Sequence, residues 1–370
     1  MRTTITMLDP LSSGVDPLRW HGDQEVDDGL LDAAVNVRLP APPAWLADQI
    51  AGALTRLGSY PNPDPARRAV AERHRRGLDE VLLTVGAAEA FVLLARVAAA
   101  TGVRRAVCVH PSFTEPEAAL LAAGVPTDRV VLDAPFQLDP ALIPDDADLV
   151  VLGNPTNPTS VLHPAATVAA LARPGRILVV DEAFADFVPG EPESLARRRD
   201  VPGLVVVRSL TKMWGLAGLR VGYLLAAPHL VDACAAVQPA WSVSTPALLA
   251  AEACSSPAAV AEADAAAAVL TGSAQRFAAR IDRIPGVAVT APSGPFLLVS
   301  VPNGEAVRHR LRRLGVAVRR CDTFPGLSPD WLRIAVRDDV TNEQIATALH
   351  TAVSNPATRT RIRHPAKESA

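Results

Sequence analysis

From residue 81 onward the chain keeps one rhythm: short uninterrupted apolar runs separated by Ala- and Leu-rich segments of helical length. The runs lie at 81–84, 106–110, 129–132, 149–152, 177–180, 204–207 and 221–225. Successive side chains of a strand point to opposite faces, so a strand wetted on one side alternates apolar and polar residues. Runs that are apolar at nearly every position are buried on both faces, as happens where helices cover both sides of a parallel sheet. The pattern predicts an α/β fold whose large domain is built on a mainly parallel sheet of seven strands.

The remaining segments are arranged around that unit. Residues 1–43, rich in Pro, Asp and Gly and without periodicity, read as an arm that packs on a small domain or a partner. A helix at 44–57 opens the large domain, 44–256, and Ala, Val, Leu and Phe then recur at helical spacing over 257–284. That long helix is placed to bridge into a smaller α+β domain, 257–354, with strands expected at 287–290, 295–301, 316–319 and 331–336 and helices at 305–314 and 342–353. The tail, 355–370, is expected to be disordered. Hydrophobic residues make up 49% of the chain, mostly Ala, Val and Leu, enough to fill a large core and a smaller one.

A net charge of −3 spread along the chain offers no basic face to nucleic acid or an anionic membrane, so a small molecule is the expected partner. No run of about 18 uncharged apolar residues and no basic-then-apolar leader is present, which predicts a soluble, cytoplasmic protein. Cys108, Cys234, Cys254 and Cys321 lack paired spacing and read as buried thiols, with neither a disulfide framework nor a metal site implied.

Among 36 Lys and Arg residues only Lys212 and Lys367 are lysine, and Lys367 lies in the tail. Guanidinium stays protonated, whereas an ammonium of lowered pKa becomes a free amine able to form an imine with an aldehyde. Lys212 is therefore the first candidate for a Schiff base with pyridoxal 5'-phosphate (PLP).

Other motifs come directly after strands, where parallel sheets gather their site residues. Thr84-Val-Gly86-Ala87-Ala88-Glu89 is a small-residue strand-to-helix turn; it is either an ordinary turn or a seat for phosphate on free helix amides. Phe113, in His110-Pro-Ser-Phe113, could stack on a flat heteroaromatic ring or belong to the core. Two Asn-Pro steps in Gly153-Asn-Pro-Thr-Asn157-Pro-Thr-Ser160 fix a turn that can aim an amide at a ligand. Asp181 ends a strong apolar strand, either capping the next segment or pairing with a protonated pyridine nitrogen. Ser209 and Arg220 flank Lys212 as a hydroxyl and a guanidinium suited to clamp phosphate.

In order and in combination these pieces resemble the fold-type-I PLP enzymes of the class I/II aminotransferase family. The resemblance is to the branch shared by histidinol-phosphate aminotransferases and the threonine-phosphate decarboxylases of cobalamin synthesis, and runs from about residue 21 to 353. It implies a PLP-dependent transferase-like fold, with Ala87 and Ala88 giving amides to the PLP phosphate and Phe113 stacked on the ring. Asn157 would bond the ring 3-oxygen, Asp181 hold the pyridine nitrogen, Lys212 carry the cofactor, and Ser209 and Arg220 bind phosphate. Tyr60 matches a tyrosine offered to the neighbouring subunit, implying a homodimer with shared sites, and Arg333 matches the substrate-carboxylate arginine. Two positions depart from the family pattern: Phe184 stands where aminotransferases carry a tyrosine, and Ser160 where a glycine is usual.

Reaction choice depends on which bond at Cα is held perpendicular to the ring. Arg333 and Arg337 lie an even number apart on an expected strand and so share a face, where they can receive a carboxylate and a phosphate; Arg337 could equally be a solvated strand-end charge. His21 sits in a His-Gly stretch resembling the decarboxylases' arm. With Phe184 this favours decarboxylation of O-phospho-L-threonine, the alternative being amino transfer of histidinol-phosphate type with glutamate and 2-oxoglutarate. A non-catalytic PLP-binding regulator would need a DNA-binding module, and the residues before Tyr60 carry no helix-turn-helix pattern.

Overall fold

The computed structural model describes residues 16–354; the expected disorder of 355–370 falls outside that range. In chain order the elements are β1 (Leu31–Ala33), α1 (Ala44–Gly52), α2 (Asp64–His74), β2 (Val81–Thr84), α3 (Gly86–Ala100), β3 (Ala106–His110), α4 (Glu115–Ala122) and β4 (Thr127–Val131). Next come β5 (Leu149–Gly153), α5 (Ala165–Ala169), β6 (Ile177–Asp181), β7 (Leu204–Ser209), β8 (Gly222–Ala226), α6 (Pro228–Val237), α7 (Thr245–Cys254) and α8 (Pro257–Ile281). The chain ends with β9 (Ala288–Val289), β10 (Phe296–Ser300), α9 (Gly304–Arg313), β11 (Val316–Arg320), β12 (Trp331–Ala335) and α10 (Asp339–Ser354).

The seven apolar runs form one sheet in the order β2-β8-β7-β6-β5-β3-β4, parallel except for β8, which is antiparallel to both β7 and β2. Its inner strands are apolar on both sides because each face meets a core of its own. Val107, Val109, Val150, Leu152, Leu178 and Val180 enter one core, and their neighbours Ala106, Cys108, Leu149, Val151 and Val179 enter the other. Strand order reverses between β3 and β5, the switch point outside which open α/β sheets bind ligands.

The second sheet, β1-β11-β12-β10-β9, has its own core of Val299, Leu311, Val318, Ile334 and Ile345. Helix α8 belongs to both units: Ala259, Ala263 and Ala267 pack in the large core, Ala274, Phe277 and Ile281 in the small one.

Several expected boundaries shift. Residues 31–33, expected only as part of an arm that packs on the small domain or a partner, form a strand parallel to β11, three residues being too few to show a period. The helix expected over 44–57 is α-helical only to Gly52 and then tightens into a 3-10 turn, Ala53–Arg56. The strand expected at 129–132 is Thr127–Val131, an edge strand whose outer residues Asp128 and Arg129 are exposed and so lack the apolar signal. The four cysteines are free and buried, and among the described residues no helix is long and apolar enough to cross a membrane.

Candidate active site

The carboxyl ends of β2, β3, β5, β6 and β7 and the amino end of β8 open on one cleft of ≈ 570 Å³, closed on its far side by residues 20–23, 35–37, Arg319 and Arg333. One end of it is a seat for an anion. Helix α3 starts at Gly86, whose φ of +74° and close approach to Arg220 exclude a side chain: a Cβ there would lie 2.6 Å from Arg220 Nη2. Gly222 is equally constrained, since its Cβ would meet the Ala87 amide nitrogen at 3.0 Å and the Arg208 carbonyl oxygen at 2.6 Å. Ala87 and Ala88 therefore present helix-start amides beside the Arg220 guanidinium, whose only hydrogen bond among the described residues goes to the Ala217 carbonyl at 3.0 Å. The Ser209 hydroxyl, 2.8 Å from Thr211 Oγ1, lines the same end.

Lys212 and Asp181 lie along the floor. Burial lowers the Lys212 amine from its ordinary value to about 8, with the Arg333 and Arg220 guanidiniums adding to the effect and Asp181 and Asp23 opposing it. Burial acts the other way on Asp181 and raises its carboxyl to about 6, against the Ala183 N–H that it accepts at 3.0 Å and the charge of Lys212. Among the described residues that N–H is its only hydrogen-bond donor, so the carboxylate waits for a cation in the cleft. Phe113 and Phe184 line the cleft as well; Phe113 lies 5.8 Å from the His21 ring, and Phe184 meets Phe296 edge-on at 5.0 Å.

Opposite the floor, Arg333 donates to Asn157 Oδ1 at 2.5 Å and to the Ala34 carbonyl at 2.6 Å, and lies over the Phe296 ring at 5.5 Å. With its amide oxygen turned inward, Asn36 also accepts from Arg333 at 3.2 Å. Arg319, cross-strand partner of Arg333 in the β11–β12 pairing, donates to the Trp20 and Arg320 carbonyls and to Thr323 Oγ1. Both arginines are buried, and neither forms an ion pair among the described residues. Two desolvated guanidiniums without a carboxylate make a receptor for anions. His21 closes the mouth, its Nε2 2.8 Å from Glu115 Oε1, while Arg19 reaches the same carboxylate at 2.5 Å.

Two expected residues lie elsewhere. Arg337 falls beyond the end of β12 and turns away from Arg333: its guanidinium donates to the backbone carbonyls of Asp32, Val35 and Val37 at 3.0, 2.7 and 3.2 Å. It is neither in the cleft nor a solvated strand-end charge, because the strand parity that would have aligned it with Arg333 stops at Ala335. Tyr60 is 77% exposed and stacks on Trp241 at 4.4 Å, outside its own chain's cleft. Arg319, Asn36 and Glu115 join the site without a motif to mark them. For Arg319 a signal existed, an arginine closing the expected strand 316–319.

The sequence model of "Aminotransferase class I and II" matches residues 32–351, and the chain belongs to that family. The chain is 51% identical to a histidinol-phosphate aminotransferase of Mycobacterium tuberculosis over 324 residues, 87% of each chain. It is 29% identical to the threonine-phosphate decarboxylase of Salmonella typhimurium over 351 residues, 89% of this chain and 93% of that one. A solved histidinol-phosphate aminotransferase from Clostridium acetobutylicum superposes with a TM-score of 0.81 at 24% identity, over 88% of this chain and all of that one, and speaks for the fold. The family's enzymes use PLP, and so does this one. Its cleft fits the group: an anion seat at one end, and on the floor a carboxylate with a single N–H donor beside an amine of lowered pKa.

Proposed function

We propose that the enzyme transfers an amino group between a phosphorylated amino compound of histidinol-phosphate type and 2-oxoglutarate. The observation that carries the reading is the couple Arg319 and Arg333, two buried guanidiniums without an ion pair among the described residues that line the same cleft as Lys212. Either partner of such an exchange brings anions to it, a phosphate in one case and carboxylates in the other. The relation at 51% identity supports amino transfer over decarboxylation.

In this reading Ala87, Ala88, Ser209 and Arg220 hold the cofactor's phosphate, Phe113 stacks on its ring, Asn157 faces the ring 3-oxygen, and Asp181 keeps the ring nitrogen protonated. When bound, PLP withdraws electrons from the Cα of an attached amine and acidifies its substituents. Lys212 then takes the proton from the substrate Cα, its lowered pKa giving a useful fraction of free amine near neutrality. Arg333, fixed by Asn157, Ala34 and Phe296, sets which substituent of Cα points toward that amine. The exposed side chains of Leu54, Leu57, Tyr60 and Trp241 support a homodimer in which Tyr60 reaches the partner's phosphate seat. We assign 44–256 as the cofactor-binding domain and 257–354 as the small domain.

A second reading, release of carbon dioxide from O-phospho-L-threonine, draws on Phe184, which offers no hydroxyl at the cleft, and on His21 at its mouth. Pure holoenzyme given histidinol phosphate and 2-oxoglutarate should form glutamate. Carbon dioxide from O-phospho-L-threonine without any oxo-acid acceptor, and no glutamate, would establish the second reading instead.

A further inference from the structure

Residues 32–41 start as β1 in the small sheet and finish against the loop that carries Lys212. Along the way their backbone is held from three directions. Arg337 binds the carbonyls of Asp32, Val35 and Val37. Between those points Ala34 and Asn36 turn the opposite way to hold Arg333. One residue further, the Arg38 N–H donates to the Lys212 carbonyl and its Nε to the Met213 carbonyl, both at 2.9 Å. Beyond Lys212, Gly215 at φ +68° packs so tightly on the same segment that a Cβ would lie 3.0 Å from the Leu39 carbonyl oxygen and 2.9 Å from that of Ala41.

A segment with little secondary structure of its own must pair its carbonyls with something. Here one guanidinium takes three of them from three separate nitrogens, Nε, Nη1 and Nη2, a planar spread that an ammonium, with its donors on one nitrogen, does not reproduce. The same few residues touch the substrate-anion arginine on one side and the backbone of the lysine on the other.

We propose that residues 32–41 are a strap holding Arg333 and Lys212 in one frame, with Arg337 as its clasp, so that Arg337 is a positioning residue for the transfer reaction. The inference rests on the role of Arg333 in the proposed function. Slackening the strap lets Arg333 drift from the amine and blurs the aim of substrate Cα at Lys212. Phosphate-seat contacts to Ala87, Ala88 and Arg220 lie outside the strap, so cofactor retention is unaffected.

The test uses holoenzyme carrying Arg337→Met or Arg337→Lys. Two quantities are read: the pH midpoint of the Lys212-linked cofactor's visible absorbance without substrate, and kcat with KM. The charges facing that amine are Arg333, Arg220, Asp181 and Asp23, and only Arg333 is held by the strap. In Arg337→Met the midpoint should rise by about 0.5 pH unit, as for like charges moving about 2 Å apart at an effective dielectric near 20. Its kcat should fall on the order of 10- to 100-fold, with a smaller change in KM and full cofactor content. Arg337→Lys should fall as well, since donors radiating from one nitrogen do not match the spread of Nε, Nη1 and Nη2. Should Arg337→Met fail to fold, Arg38→Met at the half-buried far end must give both changes. A rise in KM with kcat and midpoint unchanged would make Arg337 a substrate ligand, and wild-type values in folded variants would reduce the strap to packing; either overturns the proposal. If wild-type enzyme gives no glutamate from histidinol phosphate, the reaction assignment fails, yet the midpoint, read without substrate, still decides on the strap.

Discussion

Asp181 permits a prediction in which one substitution should stabilise the cofactor-free protein and harm the loaded one. The carboxylate ends β6, accepts one N–H, and is raised by burial to about 6 from near 3.8. The folded chain thus binds this proton more tightly than the unfolded chain. Its contribution to stability is fully present below pH 3.8 and is lost as pH rises through 6. The gap corresponds to about 3 kcal/mol at 1.36 kcal/mol per pH unit, and water in the open cleft reduces it, so about 1–3 kcal/mol is expected.

Asn at this position keeps the shape and can still accept the Ala183 N–H, without the charge. Cofactor-free Asp181→Asn should therefore melt above cofactor-free wild type at pH 8, by about 2 °C per kcal/mol, and the two should converge at pH 4. The advantage at pH 8 is sharpened because Lys212, with a pKa of about 8, is by then losing the charge that partly compensates Asp181. Adding PLP should reverse the order, because only the wild type has a carboxylate for the protonated ring nitrogen. Thermal unfolding with and without PLP at both pH values checks each step. Equal melting of the two cofactor-free proteins at pH 8, or an equal gain from PLP, would refute the picture of a partly desolvated, incompletely compensated carboxylate on the cleft floor.

In cofactor-free protein, reductive alkylation of Lys212 should be half-maximal near pH 8 rather than near the ordinary lysine value of 10.5, and mass spectrometry of the labelled peptide checks it. Arg319→Ala should raise KM for the phosphorylated substrate about 10- to 100-fold, the cost of a charge-assisted hydrogen bond, while PLP content stays at the wild-type level. Tyr60→Phe should weaken PLP retention although Tyr60 lies outside its own cleft. Mixing Tyr60→Phe chains with inactive Lys212→Ala chains should restore one fully working site per heterodimer, with Lys212 and Arg220 from one chain and Tyr60 from the other, and an active monomer on gel filtration would remove the basis for sharing.

What the sequence made legible was whatever depends on local pattern. The inner apolar runs gave the sheet because burial on both faces leaves no alternation to misread, whereas the exposed edge strand β4 shifted its start by two residues. A lone interior lysine, an aspartate closing an apolar strand and a small-residue turn pointed to residues that line one cleft. The places that Arg337 and Arg319 take in the fold were illegible for a tertiary reason. Even spacing from Arg333 aligns a residue only while the strand lasts, and β12 stops two residues short of Arg337. Arg319 comes to Arg333 across the β11–β12 pairing, whose register no local pattern encodes. The preference for decarboxylation leaned on Phe184, on the His-Gly stretch at His21 and on a pairing of Arg333 with Arg337 that the backbone does not make.

A cluster of buried charges beneath the site was equally invisible, and it explains why the strand ends can hold the groups above them. Arg208 pairs with Glu182 at 3.0 Å, with Glu191 at 2.6 Å and with Asp186, while Arg73 meets Asp186 at 2.6 Å and Glu191 at 3.1 Å. Burying such a set adds little net stability, because desolvation offsets much of the attraction. Its value is in where it sits. Side chains alternate along a strand, so the neighbour of each residue facing the cleft points into the cluster: Glu182 comes just after Asp181 at the end of β6, and Arg208 just before Ser209 at the end of β7. The Glu182 N–H donates to the Val207 carbonyl at 2.8 Å, and its carboxylate grips Arg208 of the same strand. Asp181 and Ser209 are thereby held in mutual register from below by bonds that a shift of either strand would break. In the proposed assignment these two residues hold opposite ends of one flat cofactor, its ring nitrogen and its phosphate, and a rigid ligand of fixed length needs that spacing set before it arrives.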